Sequence, residues 1–375
     1  EHQSTFLESN IELLNNIDLG SFSWVPFGQV SHPFTGTFNG NGNVITHLQV
    51  NAKVDGYVGF FGEVDGTVEN VVVEGTVTGS GSAQMVGGLV GELYGGTVTN
   101  ASMAGSVSGS SRTWVGGLVG ESYGSVINSH STAKVSGGSA NGGLVGADFG
   151  SITNSYATGE VSGPKGYYNG GLAGYVWDGT VSDSYSTGDV TGGGGTTYQG
   201  AFVGYLEYGK ISNSYSWGSS TVPSGATYNG GFVGIDGGTI QNSYSLGQVS
   251  GGQTVSPFAS VYASGTVHGA FYDSDDAPLA SGVAGAQGAS TAAMKSEATF
   301  AAQRWDFRNT WGINPDVNDG FPYLRALASS YSSGAPANDL PEVPNAVDIP
   351  LIGLTSVAIL AVMDRRRRAR RARMN

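Results

Sequence analysis

An apolar pair followed by glycine returns seven times along the middle of the chain: Phe60-Phe61-Gly62, Leu89-Val90-Gly91, Leu118-Val119-Gly120, Leu144-Val145-Gly146, Leu172-Ala173-Gly174, Phe202-Val203-Gly204 and Phe232-Val233-Gly234. The steps are 29, 29, 26, 28, 30 and 30 residues. A second block follows at a near-fixed offset, as in Gly150-Ser-Ile-Thr-Asn-Ser-Tyr156 and Gly238-Thr-Ile-Gln-Asn-Ser-Tyr244. A third, Gly-x-Val-Ser-Gly, ends at Gly163 and again at Gly251, and a degenerate eighth copy spans Phe258 to Tyr272. Each repeat offers three short runs rich in Val, Ile, Thr and Tyr, separated by glycine and too short for a helix. One such unit cannot bury its apolar side chains, but units stacked in register share a continuous core. The step falls short of the roughly 40–50 residues of a propeller blade. The pattern therefore predicts an all-β chain: a parallel β-helix (β-solenoid) of about seven to eight three-strand coils, with a short C-terminal cap and a terminal apolar helix.

Composition supports a folded, turn-rich chain. Glycine supplies 63 of 375 residues, and only 12% are charged, yet 39% are hydrophobic, too many for a solvated disordered tail. Residues 1–363 hold nine basic and 28 acidic side chains, a net of −19, which disfavours nucleic acid as a partner. With no cysteine there is no disulfide, thiolate nucleophile or thiolate zinc site.

The Gly-Gly-Leu-Val-Gly and Gly-x-Ile/Val-x-Asn-Ser-Tyr-x-x-Gly-x-Val pattern over about 55–272 resembles the GLUG repeats of bacterial surface proteins. Phe34-Thr-Gly-Thr-Phe-Asn-Gly-Asn-Gly-Asn43 resembles the lead-in to such repeats, and Trp305-Asp-Phe, Trp311-Gly-Ile and Asn318-Asp-Gly-Phe-Pro-Tyr-Leu324 resemble the segment that closes them. The resemblance implies a secreted or cell-surface solenoid of adhesin type and implies no particular ligand. Ala101-Ser102 and Ser129-His130 replace the Ser-Tyr pair and are expected to interrupt its ladder.

The expected organisation is a lead-in of cap strands over 1–54, the repeat solenoid over 55–272, a capping segment over 273–326, a linker over 327–348 and an apolar segment with an Arg-rich tail over 349–375. Ile349 to Met363 carries no charge and, as a helix, spans about 22 Å against a hydrocarbon core of about 30 Å. Seven arginines between Arg365 and Arg373 match the positive-inside rule. The order of linker, apolar run and arginine cluster resembles C-terminal membrane anchors and sorting signals, so an extracellular location with C-terminal surface attachment is expected. The chain opens at Glu1 without an apolar leader and reads as a processed or truncated product.

Glu63, Glu92 and Glu121 each follow the glycine of the apolar-pair motif, so stacked coils would set them in a row. Such a row fits a calcium-bridged site, a solvated acidic edge or a catalytic pair. Asp273, Asp275, Asp276 and the Asp316–Gly320 stretch suit turn chemistry. No constellation reads as an active site, so the chain is expected to be non-enzymatic and to need no cofactor, with calcium the one candidate. Asn70, Asn100, Asn128, Asn154, Asn213 and Asn242, with Asp183, predict a side-chain ladder. Period-two counting puts Tyr156, Tyr185, Tyr215 and Tyr244 inward or at a corner. Ser290 is the expected N-cap of a short helix near 291–303.

Trp114, Tyr168, Tyr198 and Tyr228 recur at one repeat position, with Ala140 breaking the row. They form either a stripe that stacks on sugar rings or packing over the neighbouring coil. The expected function is an adhesin-like or stalk module with polysaccharide, or a host or neighbouring cell surface, as partner, and the membrane reached through Ile349 to Met363. A polysaccharide lyase or hydrolase on the same scaffold and a purely structural spacer are the alternatives.

Overall fold

The computed structural model describes residues 6–52, 56–194, 197–261, 265–277 and 285–331. The expected apolar helix over 349–363, the arginine cluster and linker residues 332–348 lie outside the described residues. Among those described, no helix is long and apolar enough to cross a membrane.

The chain winds into a parallel β-solenoid of about nine turns. One interior column runs in unbroken register through Ile11, Phe38, Val68, Val98, Val126, Ile152, Val181, Ile211, Ile240 and Val267. The coil therefore starts within the lead-in. The central repeats divide into five short strands rather than the expected three, as in Ala140–Gly142, Val145–Asp148, Ser151–Thr153, Tyr156–Ala157 and Val161–Gly163, while in other coils some of these merge, as in Thr67–Gly79 and Thr97–Ser108. The first of the five belongs to a separate eight-stranded sheet, and the other four join a thirty-stranded one.

Corners explain the extra breaks. Asn70, Asn100, Asn128, Asn154, Asp183, Asn213 and Asn242 all adopt φ between +48° and +52°, a left-handed turn that Asn and Asp tolerate better than other side chains. Their side chains form the expected ladder at several steps: Nδ2 of Asn70 donates to Asn39 (3.2 Å), Asn100 to Asn70 (3.0 Å) and Asn213 to Asp183 (3.3 Å). Beside them runs a second ladder that spacing did not announce. Ser129, Ser155, Ser184, Ser214 and Ser243 each accept a backbone N–H from the preceding coil at 3.1–3.3 Å and donate to the carbonyl two residues back.

The left-handed residue also reverses the tyrosines. Ile152 and Ala157 face the interior core, but alternation fails at Asn154, so Tyr156 and its counterparts point outward. Tyr156, Tyr185, Tyr215 and Tyr244 stack at 4.8, 5.0 and 4.8 Å with planes within 9°. His130 extends the stack at 4.6 Å and 6°, so the expected interruption there does not occur. Burial holds its imidazole neutral, with its pKa lowered to about 4.

Residues 290–331 fold back over this ladder. Ser290 caps the helix Thr291–Met294 as expected, and Met294, Phe300, Trp305, Trp311, Phe321, Leu324 and Leu327 form a second core with the tyrosines. The Tyr185 hydroxyl bonds Ser330 at 2.9 Å, and that of Tyr215 bonds Tyr331 at 3.1 Å. Residues 327–331 thus belong to this packed cover rather than to a linker. Inside the solenoid, the column Val64, Leu93, Ser122, Asp148, Val176, Leu206 and Asp236 places two carboxyls in apolar company. Burial raises Asp148 to about 7 and Asp236 to about 6.

Candidate functional site

The eight-stranded sheet lies directly on the glycine of the apolar-pair motif. A Cβ at Gly204 would stand 2.5 Å from the carbonyl of Gly174 and 2.7 Å from the nitrogen of Asn169, so only glycine fits. Within that sheet the residues alternate. Asn141, Asn169, Gln199 and Asn229 are buried: Asn141 bonds Asn169 (2.8 Å), Gln199 reaches the Val190 carbonyl (3.0 Å), and Asn229 reaches the Ser250 carbonyl (2.8 Å). The preceding residues therefore point outward. They are Trp114, Ala140, Tyr168, Tyr198 and Tyr228, continuous in register with Met85 and Tyr57.

Tyr168, Tyr198 and Tyr228 are half-buried, with ring centroids 5.6 Å apart at 26° and then 42°. A second row in the larger sheet runs Glu63, Glu92, Glu121, Ala147, Tyr175, Tyr205 and Ile235. A third holds Tyr94, Tyr123, Phe149 and Trp177. Ring contacts join all three: Tyr94 to Tyr123 at 6.1 Å, Tyr123 to Phe149 at 4.7 Å, Phe149 to Tyr175 at 6.1 Å, Tyr175 to Tyr168 at 5.2 Å and Tyr205 to Tyr198 at 5.6 Å. Phe149 also contacts Trp114 at 5.7 Å and so crosses the gap at Ala140.

Sequence reasoning placed the first row and the glutamates of the second, but missed the aromatics of the second and third. The second row's position carries Glu, Ala or Ile in the other coils, and the third row's aromatic varies among Tyr, Phe and Trp. A search for aromatics one and three residues after the motif glycine would have found Tyr175, Tyr205 and Tyr123.

The face can stack and can donate hydrogen bonds. Burial raises the phenols of Tyr168 and Tyr205, the latter to about 12, so both stay protonated near neutral pH. The Tyr175 hydroxyl donates to the Glu207 carboxylate. At the N-terminal end of the same face, Glu63, Glu92 and Glu121 are only 8%, 5% and 2% exposed, which corrects the solvated-edge reading. Packing against Tyr57 and Tyr123, whose hydroxyls bond Glu92 and Glu121, removes them from water. Burial, and next the neighbouring carboxyls, raise Glu63 to about 7; burial raises Glu121 to about 7 and also raises Glu92. Among the described residues no group of three or more metal-ligating side chains is arranged to hold a metal ion.

Elsewhere, Asp273 and Asp275 act locally. Asp273 accepts from the Asp275 N–H at 3.0 Å and the Thr291 hydroxyl at 2.7 Å, and Asp275 accepts from the Thr291 N–H at 3.0 Å.

The repeats have relatives. The model of the GLUG motif matches residues 114–136 and 166–191. A stretch of 100 residues, 26% of the chain, is 35% identical to a protein of Evansella cellulosilytica named as a candidate Gly-rich membrane protein, of which it covers 12%. A stretch of 82 residues, 21% of the chain, is 37% identical to halomucin of Haloquadratum walsbyi, of which it covers 1%. The chain thus spans only a small part of these relatives. The crystal structure of a candidate immunoglobulin A1 protease from Bacteroides ovatus superposes with a TM-score of 0.50 at 20% identity, over 86% of this chain and 87% of that one, a likeness of fold alone. With its Gly-Gly-x-Val-Gly and Asn-Ser-Tyr blocks wound one repeat to a turn, the chain carries GLUG motifs, matched at residues 114–136 and 166–191.

Proposed function

We propose that the chain is a non-enzymatic, surface-displayed binding module whose three-row aromatic face takes polysaccharide. The observation that carries this reading is the contact-linked set of rings from Tyr94 to Tyr228, left open to solvent while the other tyrosine stack is covered. Contiguous exposed aromatics of this extent mark binding surfaces. Sugar rings present apolar faces to them, and the hydroxyls remain available for hydrogen bonds. Adjacent coils stand about 4.8 Å apart, comparable with one sugar residue, so a glycan lying along the solenoid meets several rings. The names of the relatives, a membrane protein and a halomucin, favour a surface location, and the tail over 349–375 supplies the tether.

Glycan-array binding tests the reading. Replacing Tyr168, Tyr198 and Tyr228 together by alanine should abolish glycan capture and leave the melting temperature nearly unchanged. A large loss of stability, or unchanged capture, would assign the row to packing. Deleting 347–375 should release the protein from cells, and retention of the truncated form would reject the tether. Appearance of new reducing ends or unsaturated products would favour an enzyme instead.

A further inference from the structure

The two halves of the aromatic face differ in one row. Where the C-terminal coils carry Tyr175 and Tyr205, the N-terminal coils carry Glu63, Glu92 and Glu121 in the same register. Each of these carboxyls is more than nine-tenths buried, and none forms an ion pair among the described residues. The Oε2 atoms of Glu63 and Glu92 have no hydrogen-bond partner, a costly state for desolvated acceptors. Around them stand rings: Tyr57 and Tyr123 touch Glu92 and Glu121 through their hydroxyls, and Tyr94 meets Tyr123 loosely at 6.1 Å and 53°. Tyr94 and Tyr123 are themselves exposed, so rotation of their side chains opens the column to solvent.

We infer that Glu63, Glu92 and Glu121, walled by Tyr57, Tyr94 and Tyr123, form a subsite for protonated amines, and that the polysaccharide taken by this face is an amino-sugar polymer with free amino groups. The inference rests on the polysaccharide reading above. An ammonium donates up to three hydrogen bonds, satisfies the orphaned carboxyl oxygens and relieves the repulsion within the column. The aromatic walls suit an organic cation through their π faces. A calcium ion would instead need six to eight oxygens converging on one point, whereas these carboxyls lie on successive coils, spread along a column at a spacing of about 4.8 Å. Glucosamine units along the axis would meet the column at about the coil spacing, while their ring faces continue onto Trp114 and the C-terminal tyrosines. Glu63 and Glu121, raised to about 7 and so largely protonated at pH 6 when empty, release protons to bind an ammonium, so binding is coupled to proton release.

Isothermal titration at pH 6 with a fully deacetylated glucosamine hexamer and its N-acetylated counterpart tests this. The deacetylated hexamer should bind about tenfold tighter to the native chain, with a heat that depends on the buffer's ionisation enthalpy. In a Glu92→Gln, Glu121→Gln variant the preference should vanish while the N-acetylated hexamer binds as before. An unchanged or higher melting temperature at pH 8 verifies that the variant is folded, and Glu92→Gln alone serves if it is not. Equal affinity for the two hexamers in the native chain overturns the inference. So does a preference that survives in the variant, or stabilisation by calcium chloride without stabilisation by the glucosamine hexamer. In the first two cases binding of the N-acetylated hexamer leaves the polysaccharide reading standing, whereas binding of neither hexamer, and of no other glycan, removes both.

Discussion

Two tyrosine stacks climb the same solenoid at the same coil pitch and meet opposite fates. Tyr185, Tyr215 and Tyr244 are almost fully buried, stack within 9° of parallel and give their hydroxyls to Ser330, Tyr331 and the Pro322 carbonyl. Tyr168, Tyr198 and Tyr228 are half-buried, tilt by 26° and 42°, and carry no cover. Both rows are tyrosines that recur once per repeat, though at different positions and in different sheets; the distant segment 290–331 covers only one of them. A repeated aromatic is therefore core or binding surface according to what lies over it, and stacking geometry records the outcome.

The largest expected effect follows from the covered stack. Tyr215→Ala removes a buried ring and its hydrogen bond to the Tyr331 hydroxyl, which keeps only the Leu324 N–H as partner, so denaturant unfolding should show a loss of about 3–5 kcal/mol. A loss below about 1 kcal/mol would break the contrast between the stacks.

Burial also separates groups by pH. Asp148 binds its proton more tightly folded, at about 7, than unfolded, near the ordinary aspartate value of 3.8. Between those values the folded state holds more protons than the unfolded one, so stability is greatest at low pH and falls as pH rises through this window, by about 1.4 kcal/mol per unit of pKa difference. Asp236 and Glu121 add to the slope in the same direction. Asp148→Asn should make the slope measurably shallower, and an unaltered slope would mean that this carboxyl is not desolvated.

The serine ladder gives a smaller effect. Ser214→Ala deletes the acceptor of the Ser184 N–H and the donor to the Ser212 carbonyl, so a loss of about 1–2 kcal/mol is expected in the same unfolding measurement. Smallest of all, Tyr198→Ala should shift stability by no more than about 0.5–1 kcal/mol, since one side of its ring already faces water.

Much of the fold was legible because the repeat step fixes the register. Aligning Leu89, Leu118 and Leu144 by eye gives the same partners as the sheet, and the row Trp114, Ala140, Tyr168, Tyr198, Tyr228 emerges in order. Three things were hidden. Counting sides by period two assumes extended backbone, and the left-handed Asn154 or Asp183 breaks that count, so tyrosines that the count sets inward or at a corner face outward. The cover was invisible because its contacts join residues as far apart as Tyr185 and Ser330, and no local pattern encodes them. Tyr175 and Tyr205 escaped notice because their position holds Glu, Ala or Ile in the other coils, and Phe149 because its position varies among Tyr, Phe and Trp, so no single residue type repeats across this part of the face.

Hydroxyl-radical footprinting read by mass spectrometry, with and without bound glycan, tests the contrast between the stacks most directly. The open face predicts rapid oxidation of Tyr168, Tyr198 and Tyr228 in the folded protein, protection of all three by glycan, and no oxidation of Tyr185, Tyr215 or Tyr244 until the protein unfolds. Equal oxidation of both stacks, or an open row that glycan leaves unprotected, would contradict it.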